Sequence, residues 1–445
     1  MLFVLGEYRI EGRRAAEISA SVERAVGAGR LAPGELLPPM RELAIELGVN
    51  PNTVAAAYRA LRDRGVIETA GRRGSRVRDR PASTPREQIQ VTAEGVRDVS
   101  SGNPDPALLP SLGGALAAAA ERAERRPVLY GEPVADTELE RMARAAFRAD
   151  GVPEGPVAVT SGALDAIERV LVAHLRPGDA VAVEDPGWGS VLDLIPALGL
   201  RPVPVAVDDD GPLPGETERA LRQGARALIV TDQAQNPTGA AVGKARAEEL
   251  RAVLAAHPHV LLVEDDNGHG IVDQPLRPLG GVTTHWALVR SVAKTYGPDL
   301  RLGLLTGDSV TLDRVLGRQR LGAGWVSHVL QDAVLHLWRT GAVDGEGVAA
   351  SYGRRRAALV EALRERGIAA HGRSGMNVWV PVPDETGVVA RMLQSGWAVA
   401  PGARFRLASP PGVRLTVSTL AMDEIGQVAD ALAAATRPVA AGRYG

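Results

Sequence analysis

The sequence predicts an α/β protein in two unequal parts: a small, mostly helical amino-terminal domain closed by a hairpin, and a large domain built on a mostly parallel sheet. Three observations lead there. Amphipathic helical runs separated by short glycine- or proline-containing turns fill the region up to residue 79. From Val157 onward, short continuous apolar runs alternate with helical patterns, as expected of strands buried on both faces. Between the two, Arg80 to Gln90 holds two prolines, several charges and no apolar period, which marks a tether. The boundaries that follow are 1–79, a linker at 80–97, and 98–445 with a smaller α/β subdomain from about 330.

Composition narrows the function. At roughly 100 to 200 residues per domain, a chain of 445 residues has room for two or three domains. A formal net charge of −2 supplies no global field toward nucleic acid or membrane, so any such binding must come from a local patch. The absence of Cys excludes disulfides, a thiolate nucleophile and thiolate zinc sites. The eight His include no HExxH spacing, so no metal site is expected. Met1 to Gly6 is apolar but lacks a basic flank, and no apolar run reaches the ~18 residues of a membrane span. A cytoplasmic protein without membrane contact is expected.

In the amino-terminal part, Ile18, Val22, Ala25 and Val26 recur at helical spacing up to Gly29. The turn-rich Leu31–Pro39 follows. A second helix, Met40–Leu47, stops at Gly48, and a third begins at Asn50-Pro51-Asn52-Thr53. In a helix-turn-helix the second helix enters the major groove by its first residues, and Asn50, Asn52 and Thr53 suit phosphate or base-edge contacts there. Val66–Thr69 and Ser75–Arg78 read as strands of a hairpin wing whose tip carries Arg72 and Arg73, able to follow a phosphate backbone or enter the minor groove. A plain helical bundle with solvated arginines would share the amphipathic runs but not this order of elements.

The motif Leu37-Pro38, Arg41-Glu42-Leu43-Ala44, Leu47-Gly48-Val49, Asn52-Thr53-Val54, Ala57-Tyr58 and Leu61 resembles the GntR family of winged-helix regulators. Arg41, inside that motif, joins Asn50, Asn52, Thr53, Arg72 and Arg73 as a candidate DNA contact. Pro39 stands where the family usually carries Ser, and Pro51 replaces a frequent Arg.

In the large part, strands are expected at Val157–Thr160, Ala180–Val183, Ala227–Val230, Val260–Val263, Ala287–Arg290 and Gly303–Thr306. Ligands of such sheets bind at the carboxyl ends of the strands. After the first, Ser161 and Gly162 open a helix whose N–H groups can hold a phosphate. Trp188 follows the second and could stack on a flat ring; Asn236-Pro237-Thr238-Gly239 follows the third; Asp265 ends the fourth, where it could keep a pyridine nitrogen protonated. Beyond the fifth stand Lys294 and, seven positions on, Arg301. An amine that can form a Schiff base and a guanidinium that can grip a phosphate suit an aldehyde carrying a phosphate, for which pyridoxal phosphate is the obvious candidate. Taken singly, these features also occur as a turn, a packed Trp, a helix cap and a surface lysine; together they sit at successive strand ends.

From about Asp98 to the carboxyl terminus these motifs resemble fold-type I pyridoxal-phosphate enzymes of the aspartate aminotransferase class. The resemblance implies that Lys294 is the Schiff-base lysine, Asp265 the pyridinium partner, Asn236 the amide at the ring hydroxyl and Trp188 the stacking aromatic. It further implies that Ser291 and Arg301 bind phosphate, that Tyr130 reaches the phosphate of a partner subunit, and that Arg414 holds a substrate α-carboxylate. Asn267 stands where a Tyr is usual, and Ala163-Leu164 replaces a polar pair near the phosphate; an amide at 267 can still donate to the ring oxygen.

A GntR-type domain followed by an aminotransferase-like domain resembles the MocR subfamily of bacterial regulators. The resemblance implies a homodimer, often arranged head to tail, that binds paired promoter half-sites. It implies sensing of pyridoxal phosphate, or of an amino compound through an aldimine at Lys294, rather than turnover. Two other readings remain open at this point: an active aminotransferase with an accessory DNA-binding domain, and a DNA-binding dimer whose large domain no longer uses the cofactor.

Overall fold

Three helices and a hairpin form the amino-terminal unit of the computed structural model, which describes residues 9–27, 30–32, 34–63, 66–69, 74–77 and 95–437. Helices α1 (Ala15–Gly27), α2 (Met40–Leu47) and α3 (Pro51–Asp63) precede strands β1 (Ile67–Thr69) and β2 (Ser75–Val77). Ile18, Val22 and Ala25 of α1 meet Leu43 and Ala44 of α2, Val54, Ala57, Tyr58 and Leu61 of α3, and Ile67 and Val77 of the hairpin in one buried cluster. The three- and four-residue intervals along α1 and α3 put these side chains on one face, so burial of that face holds the unit together. Gly48 ends α2 in the left-handed conformation, φ 63°, and bonds back to Ala44 and Ile45 carbonyls. Strand β2 pairs antiparallel with β1 in the register Ile67↔Val77 and also bridges Leu36. Arg72 and Arg73 lie outside the described residues, as does the linker from 80 to 94.

Helix α3 starts one residue later than the sequence suggests, and the difference gives Asn50 a capping role. Its Oδ1 accepts the Asn52 backbone N–H at 2.9 Å, which makes Asn50 the cap of the helix, with Pro51 at the first helical position. Asn52 is exposed and Thr53 half-buried at the helix start, while Arg41 is exposed on α2. Asn50→Ala is expected to lower the stability of this unit by about 1 kcal/mol, read from the thermal midpoint of its unfolding.

The second unit holds most of the residues from 90 onward. Its elements in order are β3 (Arg97–Asp98), α4 (Gly113–Arg125), α5 (Thr137–Ala149), β4 (Val157–Thr160), α6 (Ala163–His174), β5 (Ala180–Asp185), α7 (Gly189–Ala197), β6 (Arg201–Asp208), β7 (Gly211–Pro212), α8 (Pro214–Arg222), β8 (Ala225–Gln233), α9 (Lys244–Ala255), β9 (Leu261–Asp266), β10 (His285–Ser291), α10 (Ala293–Tyr296), β11 (Gly303–Gly307), α11 (Ser309–Arg320) and α12 (His328–Arg339). Then come α13 (Gly345–Glu365), β12 (Asn377–Pro381), α14 (Glu385–Gln394), β13 (Trp397–Ala398), β14 (Ala400–Pro401), β15 (Gly412–Thr416) and α15 (Glu424–Thr436).

Eight strands form the main sheet in the order β4-β11-β10-β9-β8-β5-β6-β7. Strands β8, β9 and β10 run parallel; β11 is antiparallel to both β10 and β4. The six apolar runs read from the sequence are all strands of it. Strand β6 was not among them: Arg201-Pro202-Val203-Pro204-Val205 carries two prolines, which argue against a strand except near a sheet edge, where β6 in fact lies.

A second sheet, β12-β15-β14, packs with α13, α14 and α15 around Val378, Val380, Val413, Leu415, Leu359, Leu363 and Leu432. It draws in the start of the unit, because β3 pairs in parallel with β13 and Arg97 Nε donates to Glu424 Oε1 at 2.8 Å. Helix α12, by contrast, is tied to the first helices of the unit: Asp332 accepts from Arg122, which also donates to Asp136. Among the described residues no helix is long and apolar enough to cross a membrane, and no group of three or more acidic or histidine side chains is placed to hold a metal ion.

Candidate cofactor site

Asp265 occupies the middle of the parallel strands, opposite Val289 of β10 and Thr231 of β8. It is buried, and its Oδ1 has no hydrogen-bond partner among the described residues. Burial pushes its carboxyl up to about 7, with Asp266 and Glu184 adding to the rise and the Lys294 ammonium opposing it. One turn beyond β10, Lys294 donates from Nζ to the Gly102 carbonyl at 2.9 Å. Gly102 lies under the Arg414 guanidinium: a Cβ there would stand 3.5 Å from Nη1. Arg414 of β15 donates to Asn236 Oδ1 at 2.8 Å and to the Ser100 carbonyl at 2.5 Å, and its guanidinium covers the Phe405 ring at 4.6 Å. The Gly187 N–H donates to the Phe405 carbonyl at 2.7 Å, which ties the loop of the half-buried Trp188 to the same corner.

Arg301 is exposed and left-handed at φ 45°, and its Nη2 donates to the Ser161 carbonyl at 3.1 Å. Gly162, at φ +97°, makes this approach possible, since a Cβ there would come within 3.0 Å of Arg301 Nη2. The Ser161 N–H is engaged by Asp165 Oδ2 at 2.9 Å, so this amide faces its own helix and not an incoming anion. Ser291 pairs with Gly303 across β10 and β11, and its Oγ accepts the Ala293 N–H at 3.4 Å where α10 begins. Asn267 donates one amide hydrogen to the Ala234 carbonyl at 3.1 Å, leaving a second to offer. Tyr130 does not join these residues: it is 94% exposed and meets only the edge of Trp325, at 5.6 Å, among ring contacts of the described residues.

Several participants were not read from the sequence. The Gly102 and Ser100 carbonyls and the Phe405 ring are one set; the run Ser100-Ser101-Gly102-Asn103-Pro104 carried a turn signal that could have pointed to the first two. Glu184 and Gln235 are another. Glu184 accepts the Thr231 N–H at 2.9 Å and the Gln235 amide at 3.1 Å, and Gln235 in turn accepts from Thr238. These bonds hold the loop that presents Asn236.

The surroundings of Asp265 fit pyridoxal phosphate. A buried carboxyl with an idle oxygen and a raised pKa is completed by a pyridinium N–H, which returns it to the charged form. Without such a donor the same group has a pH signature. Its proton is held in the folded chain up to about 7 but is lost near 4 in the unfolded chain, so the folded state binds more protons between those values. Stability of the cofactor-free protein therefore falls as pH rises through that window. Asp265→Asn is expected to flatten that fall by a few kcal/mol at most, measured as unfolding free energy at pH 5 and pH 7; an unchanged slope would remove Asp265 as its source.

Two family descriptions match the chain: "Aminotransferase class I and II" over residues 96–432 and "Bacterial regulatory proteins, gntR family" over 14–77. Over 94% of its length the chain is 41% identical to the vitamin B6 salvage pathway transcriptional repressor PtsJ of Salmonella typhimurium, 98% of which is covered. The chain belongs to the MocR-type regulators of the gntR family. A second relative of this regulator is the pyridoxine biosynthesis transcriptional regulator PdxR of Corynebacterium glutamicum, 29% identical over 69% of the chain and 70% of that protein. Its large unit is similar in structure to an aspartate aminotransferase variant of Thermus thermophilus, with a TM-score of 0.68 and 27% identity over 78% of the chain and 98% of the enzyme. Domains of this aminotransferase class use pyridoxal phosphate, in keeping with the donor set around Asp265.

Proposed function

We propose that this MocR-type regulator is a pyridoxal-phosphate-dependent, DNA-binding transcriptional regulator of vitamin B6 metabolism, with Lys294 as the residue that joins the cofactor. One observation carries the reading: a buried Asp265 with an idle oxygen stands in the field of the Lys294 ammonium, in a chain that also holds a gntR-family domain. When bound, the cofactor supplies an aldehyde carbon that condenses with amines and an electron-poor pyridinium ring. Asp265 accepts from the ring nitrogen, Trp188 covers the ring face, and Asn236 and Asn267 offer amides on the ring-oxygen side. Arg301, Ser291, Ser161 and Gly162 receive the phosphate, for which the Ser161 N–H must leave Asp165. Arg414 holds the carboxylate of an amino effector by exchanging its bonds to Asn236 and Ser100 for a two-point fork.

The regulator acts in the cytoplasm on paired promoter half-sites, as a homodimer arranged head to tail. Support for the dimer comes from Leu129 and Tyr130, which stand 67% and 94% exposed side by side, an unusual setting for two large apolar side chains. The test uses full-length protein and its own upstream promoter DNA, with absorbance and fluorescence anisotropy read with and without pyridoxal phosphate. A visible band together with a severalfold change in DNA affinity is expected; a protein that stays colourless and binds DNA identically defeats the reading.

An active aminotransferase is the second reading, favoured by Arg414 standing against Gly102, the residue that receives Lys294. Multiple turnovers with a panel of amino and keto acids would establish it. For DNA contact, Arg72→Glu with Arg73→Glu is expected to weaken binding and flatten its dependence on salt, as removal of phosphate contacts does. Unchanged binding in a salt titration would take the wing out of the interface.

A further inference from the structure

Away from the cofactor residues, a cavity of about 420 Å³ is bounded by β6, α8, β12 and the segment after Phe405. Its size falls in the range of small-molecule sites, ~300–1,000 Å³. Pro186, Pro204, Ala206, Pro381, Pro410 and the Trp379 indole form apolar walls. None of the residues assigned to the cofactor lines it.

The walls are held in place from behind. Trp379 can lie where it does because Gly402 and Gly412 have no side chain: a Cβ on Gly412 would sit 2.2 Å from the indole Cζ2, and one on Gly402 2.7 Å from Cη2. The buried Asp185 carboxylate accepts backbone N–H groups of Leu407, Ala408 and Ser409 at 2.7 to 2.9 Å and the Ser409 hydroxyl at 2.8 Å, which pins the 407–410 segment. His371 and Trp379 exchange backbone hydrogen bonds of 2.8 Å in both directions. A cavity whose sides are fixed this way needs little reorganisation to receive a ligand.

The charges at the opening select its sign. Asp208 is matched by a two-point contact with Arg246, and Glu216 by Arg219. Asp209 faces only His371 among the side chains lining the cavity, Nδ1 to Oδ1 at 3.1 Å, and among the described residues the hydrogen bonds to Asp185 come from neutral N–H and O–H donors. Carboxylates therefore outnumber the permanent cations Arg219 and Arg246, and an anion is disfavoured.

We propose that this cavity is a second small-molecule site, which takes an organic ammonium ion with an apolar body. Its occupant leans on the backs of two cofactor loops, since Pro186 stands two residues before Trp188 and Thr238 two residues after Asn236.

Benzyltrimethylammonium is the probe, because a fully substituted nitrogen cannot condense with the cofactor aldehyde and so does not report on the Lys294 site. Calorimetric titration into the full-length, cofactor-loaded protein is expected to give saturable binding. Ala206→Phe, which fills the cavity, and Glu216→Arg, which reverses a charge at its rim, should each weaken that binding about tenfold or more. Benzenesulfonate, of similar shape and opposite charge, should bind at least about tenfold more weakly than the ammonium. Retention of the visible band and of the thermal midpoint verifies that Ala206→Phe is folded; if it is not, Glu216→Arg decides alone. Absence of saturable binding, binding indifferent to the folded variants, or benzenesulfonate binding as well as the ammonium overturns the proposal.

Discussion

Lys294→Ala removes the visible absorbance of the cofactor-loaded protein and leaves the chain folded and able to bind DNA. The chain contains two lysines, Lys244 and Lys294, so the chemistry has few alternatives. Lys244 is exposed at the start of α9, among ordinary surface residues, whereas Lys294 is half-buried and interacts with the Asp265 carboxyl. Borohydride reduction followed by peptide mapping should place the cofactor on Lys294, and Lys244→Ala should keep the band. Folding survives because the substitution removes a bond to the Gly102 carbonyl and puts a good helix former in α10, a cost of about 1 kcal/mol. That is small beside the ~5–15 kcal/mol that holds a domain together. A variant that keeps the band, or one that fails to fold, would contradict the assignment.

Arg290→Ala is expected to cost far more stability although it touches no proposed ligand contact. Arg290 is 1% exposed, donates from Nε to Asp266 Oδ2 and from Nη2 to Asp150 Oδ2, both at 2.6 Å, and stacks over Phe147 at 4.7 Å. Its removal leaves Asp266 buried without a counter-ion. Breaking a buried pair from one side costs about 3–5 kcal/mol, mostly through the stranded charge. Cofactor affinity should fall as well, because an uncompensated Asp266 further discourages ionisation of its neighbour Asp265. Denaturant unfolding of the cofactor-free protein reads the first effect. Asp266→Asn added to Arg290→Ala should recover part of it, since a neutral amide leaves no stranded charge. A loss below about 1 kcal/mol, the range of exposed pairs, would mean that the Arg290–Asp266 contact counts for no more than a surface ion pair.

Features written in local order were open to reading. Ile18, Val22 and Ala25 announce a helix face by spacing alone, and the six apolar strand runs are continuous because strands covered on both faces need no alternation. Asp265 and Lys294 stand at or just past the end of such runs, so their places in the sheet are legible from the same pattern. The cap role of Asn50 is not legible in the sequence, because a cap and a base contact ask for the same residue type at the same place; the bond to Asn52 shows the cap.

By itself, then, the sequence determined the two-part architecture, the helix-turn-helix order and the row of chemical groups at successive strand ends, all of which depend on residues close together in the chain. Tertiary structure alone decided which of these meet. Lys294 finds the Gly102 carbonyl across 192 residues, Arg414 finds Ser100 across 314, and Arg97 finds Glu424 across 327. Strand β3, two residues long, has no periodicity to announce it, and the partners of Arg290 are dispersed over Phe147, Asp150 and Asp266. Such contacts are set by how sheets and helices stack, and packing of distant segments leaves no local pattern in the chain. The idle oxygen of Asp265 belongs to the same class, because only burial from all sides pushes the pKa of an ordinary carboxylate up to about 7.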